Sequence, residues 1–553
     1  MGDVDTVQLL LADRRVNPDE HRNLAIRVAS REGHADMVRF LLADSRVNPA
    51  EYNNEAIRTA CTNGHVDIVR FLLADSRVNP ADDNNSAIRW ACYYGHVDVV
   101  RLLLTDRRVD PSGWNNFAIR RACANGHIDV VRLLLADNRV DPADGHNEAI
   151  RVACSRGHVD VVRLLVADAR VDPTYTNTLR WACTEGHVDV VRILLADSRI
   201  DPAGDNNAAI IQACECGHVD VVRLLLADMR INPATGFNKA IRVASRNGHL
   251  DVVCLLLADS RVNPADDNNN AIQTACRNGH LDVVRLLRGD SRVDPTDEKN
   301  YAMQWACANG HVDVVRLLLA DSRVANNHAI WWACTHGHAD VVRLLLADPR
   351  VNPGDDNNKA IRVACTMGHI DVVSLLLNDD RVNPADFNNE AIQRACRNGR
   401  TGVVRLLLAD DRVDPADYDN YAIQLACWNG HVDVICLLLM HPRIDVCQVV
   451  ATDSDFVRKY GKNESVCALL ALARIKPFCT KWGPLDTKAY NLDMLRYWQR
   501  TLFSNLYKQD EEFRNGPYGV LLRRRLEIAD LYDSAALTSK LPEEMIELVL
   551  EYM

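Results

Sequence analysis

The sequence predicts an all-α fold, a solenoid of stacked helix–turn–helix repeats with a small helical C-terminal extension. Three observations predict it. A Gly-His pair recurs at a near-constant interval of 31 residues over most of the chain. Each interval holds two segments of helical apolar periodicity with the Gly-His between them. Beyond about residue 476 the register stops, and Lys and aromatic residues become more frequent. At 553 residues the chain is too long for one compact core, and self-similarity of this period marks stacked units that share a continuous core.

The register is carried by His34, His65, His96, His127, His158, His187, His218, His249, His280, His311, His338, His369 and His431, with Arg400 in the remaining unit. Steps are 31 residues except for 29 between His158 and His187 and 27 between His311 and His338. Gly2 stands 31 residues before Gly33, so residues 1–13 read as the second half of a repeat. Gly461 stands 31 after Gly430 and opens a degenerate capping repeat near 446–476. The expected organisation is an array over 1–476, with about fourteen full repeats, and a helical region over 477–553.

One unit, EAIRTACTNGHVDIVRFLLADSRVNPADDNN at 55–85, shows why these residues fold this way. At about 100° per residue, Ala56, Ile57, Ala60 and Cys61 share an arc of about 140°, the core side of a first helix. Thr59 and Thr62 point away from it, with Arg58 and Asn63 at the flanks. Asn63-Gly64 ends that helix as a glycine C-cap. VDIVRFLLAD is a second helix, with Asp67 in its first turn where the dipole favours a carboxylate. Its apolar residues cover more than half its circumference, so neighbours must pack on both sides. SRVNPADDNN, rich in Pro, Asn and Asp, reads as a turn-forming loop.

This pattern, xAI[RQ]xACxxGHVDVVRLLLADxRV[ND]P, resembles the ankyrin repeat through the small pair Ala60-Cys61, the Gly-His and the V-x-x-L-L-L helix. The resemblance covers residues 1 to about 476. It implies an ankyrin-type array that binds proteins in a groove formed by the exposed face of the first helices and the loop tips. The family's usual 33-residue period and Thr-Pro-Leu-His opening are absent, so the hydrogen-bond network built on that Thr and His is not expected here. Short-period arrays of this kind are similar to those of protists and of large DNA viruses. Another α-solenoid of helix pairs is the alternative fold.

Composition bounds the function classes. Sixty-four Lys and Arg against 75 Asp and Glu give a net charge of −11, without the basic surplus of a general nucleic-acid or anionic-membrane binder. No apolar run suggests a membrane span, and the N-terminal segment lacks the basic and cleavage regions of a secretory signal. Gly2 and Thr6 fit the loose myristoylation pattern, but the repeat register accounts for Gly2 better, and two acidic residues follow it closely. The 18 cysteines include Cys61, Cys92, Cys123 and Cys154 at intervals of 31 and no CxxC, which reads as a small buried core residue in a reducing, intracellular compartment.

CTHGHAD, residues 334–340, gathers four potential metal ligands, yet the helical register sends them apart: Cys334 to the core, His336 to the groove, His338 to the turn and Asp340 to the next helix. A catalytic site needs one convergent constellation, whereas this chain repeats the same His and Asp from unit to unit. Each such His is expected to tie the turn of its unit to backbone groups of a neighbour. No enzymatic activity, cofactor or metal is expected, and the chain is expected to be monomeric.

The groove positions vary while core positions do not. The Thr59 position becomes Trp90, Arg121, Trp181, Trp305, Trp332 and Arg394 in other units; the Thr62 and Asn63 positions become Tyr93 and Tyr94, Thr335 and His336, and Trp428 and Asn429. With Trp331, beside the shortened 27-residue step, these aromatic and arginine side chains are the candidate partner-binding residues, because such types anchor interfaces. The competing reading is that each Trp packs along the row against its neighbours. A second row, Arg27, Arg58, Arg89, Arg120, Arg151 and Arg180, either favours an acidic partner or is neutralised by loops such as Asp82-Asp83 and Asp266-Asp267.

In the C-terminal region, LPEEMIELVLEYM at 541–553 reads as an amphipathic helix with Pro542 in its first turn. Leu541, Pro542, Glu544, Met545, Ile546, Val549 and Leu550 stand where the first helix of an F-box has its signature, and the segment resembles the shortened F-box that closes poxvirus-type ankyrin proteins. That resemblance implies a Skp-like adaptor and a cullin ubiquitin ligase as partners. The alternative is a helix that covers the end of the array.

Overall fold

The computed structural model describes residues 20–444 apart from 176, 325, 326 and 440. The half repeat at 1–13, the degenerate repeat near 446–476 and the F-box-like segment 541–553 lie outside the described residues. Among the described residues there are twenty-eight α-helices and no strand, so the chain is an all-α repeat array. The chain divides into two compact units between residues 325 and 326, within the shortened 27-residue step. Ten helix pairs lie in the first unit and four in the second.

The pair Glu51–Thr62 and Val66–Ala74 represents the plan. Ala56, Ile57, Ala60 and Cys61 of the first helix are buried, and so are Ile68, Val69 and Leu72 of the second. Within each unit, first helices of successive repeats pack more extensively against one another than second helices do. Gly64 ends the first helix at φ +78°, a left-handed conformation that glycine alone adopts without steric cost.

The connection is not the open loop its composition suggests. Tyr52, Asn53 and Asn54 hold φ of 59°, 56° and 55°, a run of left-handed residues immediately before the right-handed helix. The same run recurs at Asp83 to Asn85, Trp114 to Asn116, Asp267 to Asn269 and Phe387 to Asn389. Each left-handed residue costs an L-amino acid roughly 1–2 kcal/mol, less for Asn and Asp. The last Asn of the run offsets this by bridging two repeats. Asn54 is buried; its Oδ1 accepts Asn79 N–H at 2.8 Å, and its Nδ2 donates to Asp82 Oδ2 at 2.7 Å. Asn116 does the same with Asp141 and Asp144, Asn238 with Asn263 and Asp266, and Asn358 with Asn383 and Asp386.

A further tie joins neighbours. Asp75 and Arg77 form an ion pair at 2.6 Å, which aims Arg77 Nη1 at the Val47 carbonyl of the preceding repeat, also at 2.6 Å. Arg108 reaches Val78 O and Leu73 O in the same way, and Arg381 reaches Val351 O and Leu346 O. The guanidinium holds each of these carboxyls below the ordinary Asp range; Arg323 brings Asp321 down to about 2.

Candidate functional site

The recurring histidine is a structural tie. His65 Nε2 donates to Arg31 O at 3.0 Å, His96 to Thr62 O at 2.9 Å, His127 to Tyr93 O at 2.9 Å and, in the second unit, His369 to Thr335 O at 3.0 Å. A carbonyl can only accept, so Nε2 carries the proton. Arg400 keeps the tie, its Nε donating to Thr366 O at 3.2 Å. Each ring lies on the Gly of the preceding turn: a Cβ on Gly126 would stand 2.7 Å from His158 Nδ1. The imidazoles are therefore spent on backbone. Among the described residues no group of three or more His, Cys, Asp or Glu side chains gathers to hold a metal ion.

In CTHGHAD, Cys334 is buried in the core while His336 is exposed, its Nδ1 2.9 Å from the Trp332 carbonyl. The buried thiols of Cys61, Cys92 and Cys276 are pushed well above the ordinary range by burial, so they stay protonated and act as small apolar groups. Ser30 and Ser245 fill the same core position.

The candidate groove side chains divide by exposure. Trp90, Tyr94, Arg121, Trp181, Trp332, His336 and Trp428 are exposed. Tyr93, Trp305, Trp331 and Arg394 are half-buried. Trp90, Tyr93 and Tyr94 form one aromatic cluster, with ring centroids 4.9–6.2 Å apart. Trp332 stacks on His336 at 6.1 Å. Trp305 lies under the Arg277 guanidinium of the preceding repeat at 4.5 Å, and Arg394 pairs with Glu390 of its own helix at 2.8 Å, so both already have partners within the array.

Trp331 falls in the register of the arginine row rather than of the groove, with Lys359 Nζ 3.8 Å above its ring. The arginine row is neutralised between repeats. Arg58 meets Asp83 at 3.0 Å and Arg242 meets Asp267 at 2.8 Å, while Arg27 pairs with Glu55 and Arg120 with Glu148. Where the next repeat offers an aromatic ring, the guanidinium also stacks on it: Arg89 lies 4.2 Å from Trp114, and Arg27, besides its pair with Glu55, 4.7 Å from Tyr52.

Sequence reasoning missed a set of exposed aromatics at the left-handed turn, Tyr52, Trp114, Phe237, Phe387 and Tyr418. The available signal was the residue one or two places before the recurrent turn Asn. It also passed over Met367 and Ile370, both exposed.

Among the described residues no helix is long and apolar enough to cross a membrane. No curated protein matches the chain. A family model described as Ankyrin repeats (3 copies) matches in overlapping stretches, residues 45–113, 59–144, 90–177, 119–204, 150–235, 179–266, 241–328, 320–386 and 380–449. Those stretches run without a gap from 45 to 449, well over half of the 553 residues, and they fall on the helix pairs whose glycine turns, histidine ties and small-residue cores are described above; the chain belongs to the ankyrin repeat family.

Proposed function

We propose that the chain is a non-enzymatic scaffold that binds partner proteins along the exposed face of its first helices. Ankyrin repeats are in general protein–protein interaction modules, and proteins built from them are typically non-enzymatic scaffolds. The observation that carries the reading is the contrast along one helix. Core and tie positions repeat from unit to unit, while the row holding Trp90, Tyr94, Trp181, Trp332 and Trp428 changes freely and leaves its large aromatics exposed. Aromatic and Arg side chains of this kind contribute most to interface energy. In the first unit Arg121, Tyr93 and Trp305 stand on that face, and in the second unit His336 and Arg394 do, with Trp331 beside them in the arginine row. The chain acts inside the cell as a monomer, without cofactor.

The test is affinity purification of partners on the full chain and on the variant W90A/W332A/W428A, with thermal melts to confirm folding. Loss of partners from the variant supports the reading; an unchanged set sinks it. A ubiquitin-ligase receptor role rests on the F-box-like residues of 541–553. It predicts that a Skp-like adaptor and a cullin co-purify with the full chain and are lost when that segment is deleted.

A further inference from the structure

The repeat rule is broken most sharply in one turn of the second unit. At RTG, residues 400–402, Arg400 replaces His, Thr401 replaces the usual aliphatic residue and Gly402 replaces the helix-opening Asp. Across the described repeats, a second helix opens without that Asp only here. The consequence is local. A Cβ on Gly402 would lie 2.5 Å from Ile370 Cδ1, so Ile370 fills the space that the Asp side chain would take. Ile370 is 48% exposed, although Ile128, Leu250 and Leu281 are half-buried at the same position. Met367, three residues earlier, is 44% exposed.

Charge changes in the same place. Arg397 and Arg400 are exposed, and among the described residues no ion pair within 4.0 Å engages either. No Asp or Glu stands at the groove positions of this unit between Trp332 and Asn429, whereas Glu32, Glu185 and Glu215 stand at those of the first unit. Glu390 is taken up by Arg362 and Arg394. Asp371 and Asp433 are the exposed first-turn acids of the flanking second helices, and neither is in an ion pair with Arg397 or Arg400 within 4.0 Å. In a chain of net charge −11, this edge is apolar and basic.

We propose that Met367, Ile370, Arg397 and Arg400 form a docking site for an acidic segment of a partner protein that carries a bulky apolar side chain. The apolar side chain covers Met367 and Ile370, and its flanking carboxylates meet the two guanidiniums, which bind carboxylates in a planar fork. The proposal rests on the groove reading above and names the partner chemistry for one part of it.

The repeat itself supplies the variant. Arg397→Thr, Arg400→His and Gly402→Asp restore residues found in neighbouring repeats, keep the tie to Thr366 O, and remove the patch without endangering the fold. A random peptide library is selected on the full chain, and enriched peptides are titrated by fluorescence anisotropy against wild type, R397T/R400H/G402D and W90A/Y94A. The expected result is peptides rich in Asp and Glu around Leu, Met, Phe or Trp, which lose about tenfold or more in affinity for the triple variant, the scale on which electrostatic complementarity acts. They bind W90A/Y94A normally. Neutral or basic peptides, or acidic ones that bind the triple variant within about twofold of wild type, overturn the assignment. Peptides lost only with W90A/Y94A overturn it and leave the groove reading standing; peptides indifferent to both sets remove both. Binding that appears only when Glu543, Glu544, Glu547 and Glu551 are all changed to Gln overturns it in favour of the chain's own acidic segment.

Discussion

Replacing Asn116 by Ala tests whether the asparagine ladder holds the repeats together. Asn116 is buried at φ +55°, with Oδ1 accepting Asp141 N–H at 2.8 Å and Nδ2 donating to Asp144 Oδ2 at 2.8 Å. Alanine leaves the Asp141 N–H without that acceptor, at a cost of about 1–2 kcal/mol. It removes a charge-assisted bond to a half-exposed carboxylate, worth about 1 kcal/mol, and puts a less tolerant residue in the left-handed region for about 1 kcal/mol more. The expected loss is about 3–4 kcal/mol, placed at the junction between two repeats because each repeat touches only its neighbours. Urea denaturation followed by circular dichroism measures the loss. Hydrogen exchange then locates it, with the Asp141 amide and the helix Asp144–Ser155 opening first. Asn116→Gly relieves the backbone and is expected to be milder by about 0.5–1 kcal/mol. A change under about 1 kcal/mol for Asn116→Ala, or an unaltered Asp141 exchange rate, refutes the ladder as a source of stability.

Gly126→Ala places a methyl 2.7 Å from His158 Nδ1 at a φ of +75°, and a loss of about 2 kcal/mol or more is expected in thermal melts. Part of that loss is recovered in the double variant with His158→Ala, so the two changes are not additive. Acid weakens the Asp–Arg clamps. The Asp321 carboxyl is at about 2 in the folded chain against 3.8 unperturbed, so its contribution is complete above pH 3.8 and disappears as pH falls towards 2. The urea midpoint is expected to fall over that window, and less so in Asp321→Asn. A thiol reagent applied to the native chain is expected to modify exposed Cys254 well before Cys61, Cys92 or Cys276; equal rates would mean the core opens readily.

The periodic half of this architecture was legible and the joinery was not. Gly64 could be read as a left-handed cap and His65 as a tie to a neighbouring unit because both recur from turn to turn, Arg400 alone replacing the His among the described repeats, and both do what the register implies. Asn54 escaped because Asn and Asp between two helices signal a turn by composition, while its partners, Asn79 and Asp82, lie 25 and 28 residues away. Asp75 and Arg77 escaped because an i,i+2 spacing does not face on a helix; they meet only because the chain has already left it. In the groove, Trp90 and Trp305 share one register position, yet one is exposed and the other half-buried beneath Arg277. That difference depends on the neighbouring repeat, which a residue's own position does not reveal. Arg400 and Gly402 were visible as departures in the sequence, but that Gly402 uncovers Ile370 is a matter of packing.

The acceptors of the histidine ties carry one further consequence. His65, His96, His127, His218 and His249 all end on main-chain carbonyls, those of Arg31, Thr62, Tyr93, Thr184 and Glu215. These are residues of the proposed recognition face, and their side chains are variously basic, hydroxylic, aromatic and acidic. What a neighbour grips is the part of the residue that mutation leaves unchanged. Recognition can therefore be rewritten one repeat at a time while the mortar between repeats stays the same, and a module copied whole brings its own fastening to any neighbour that presents a carbonyl.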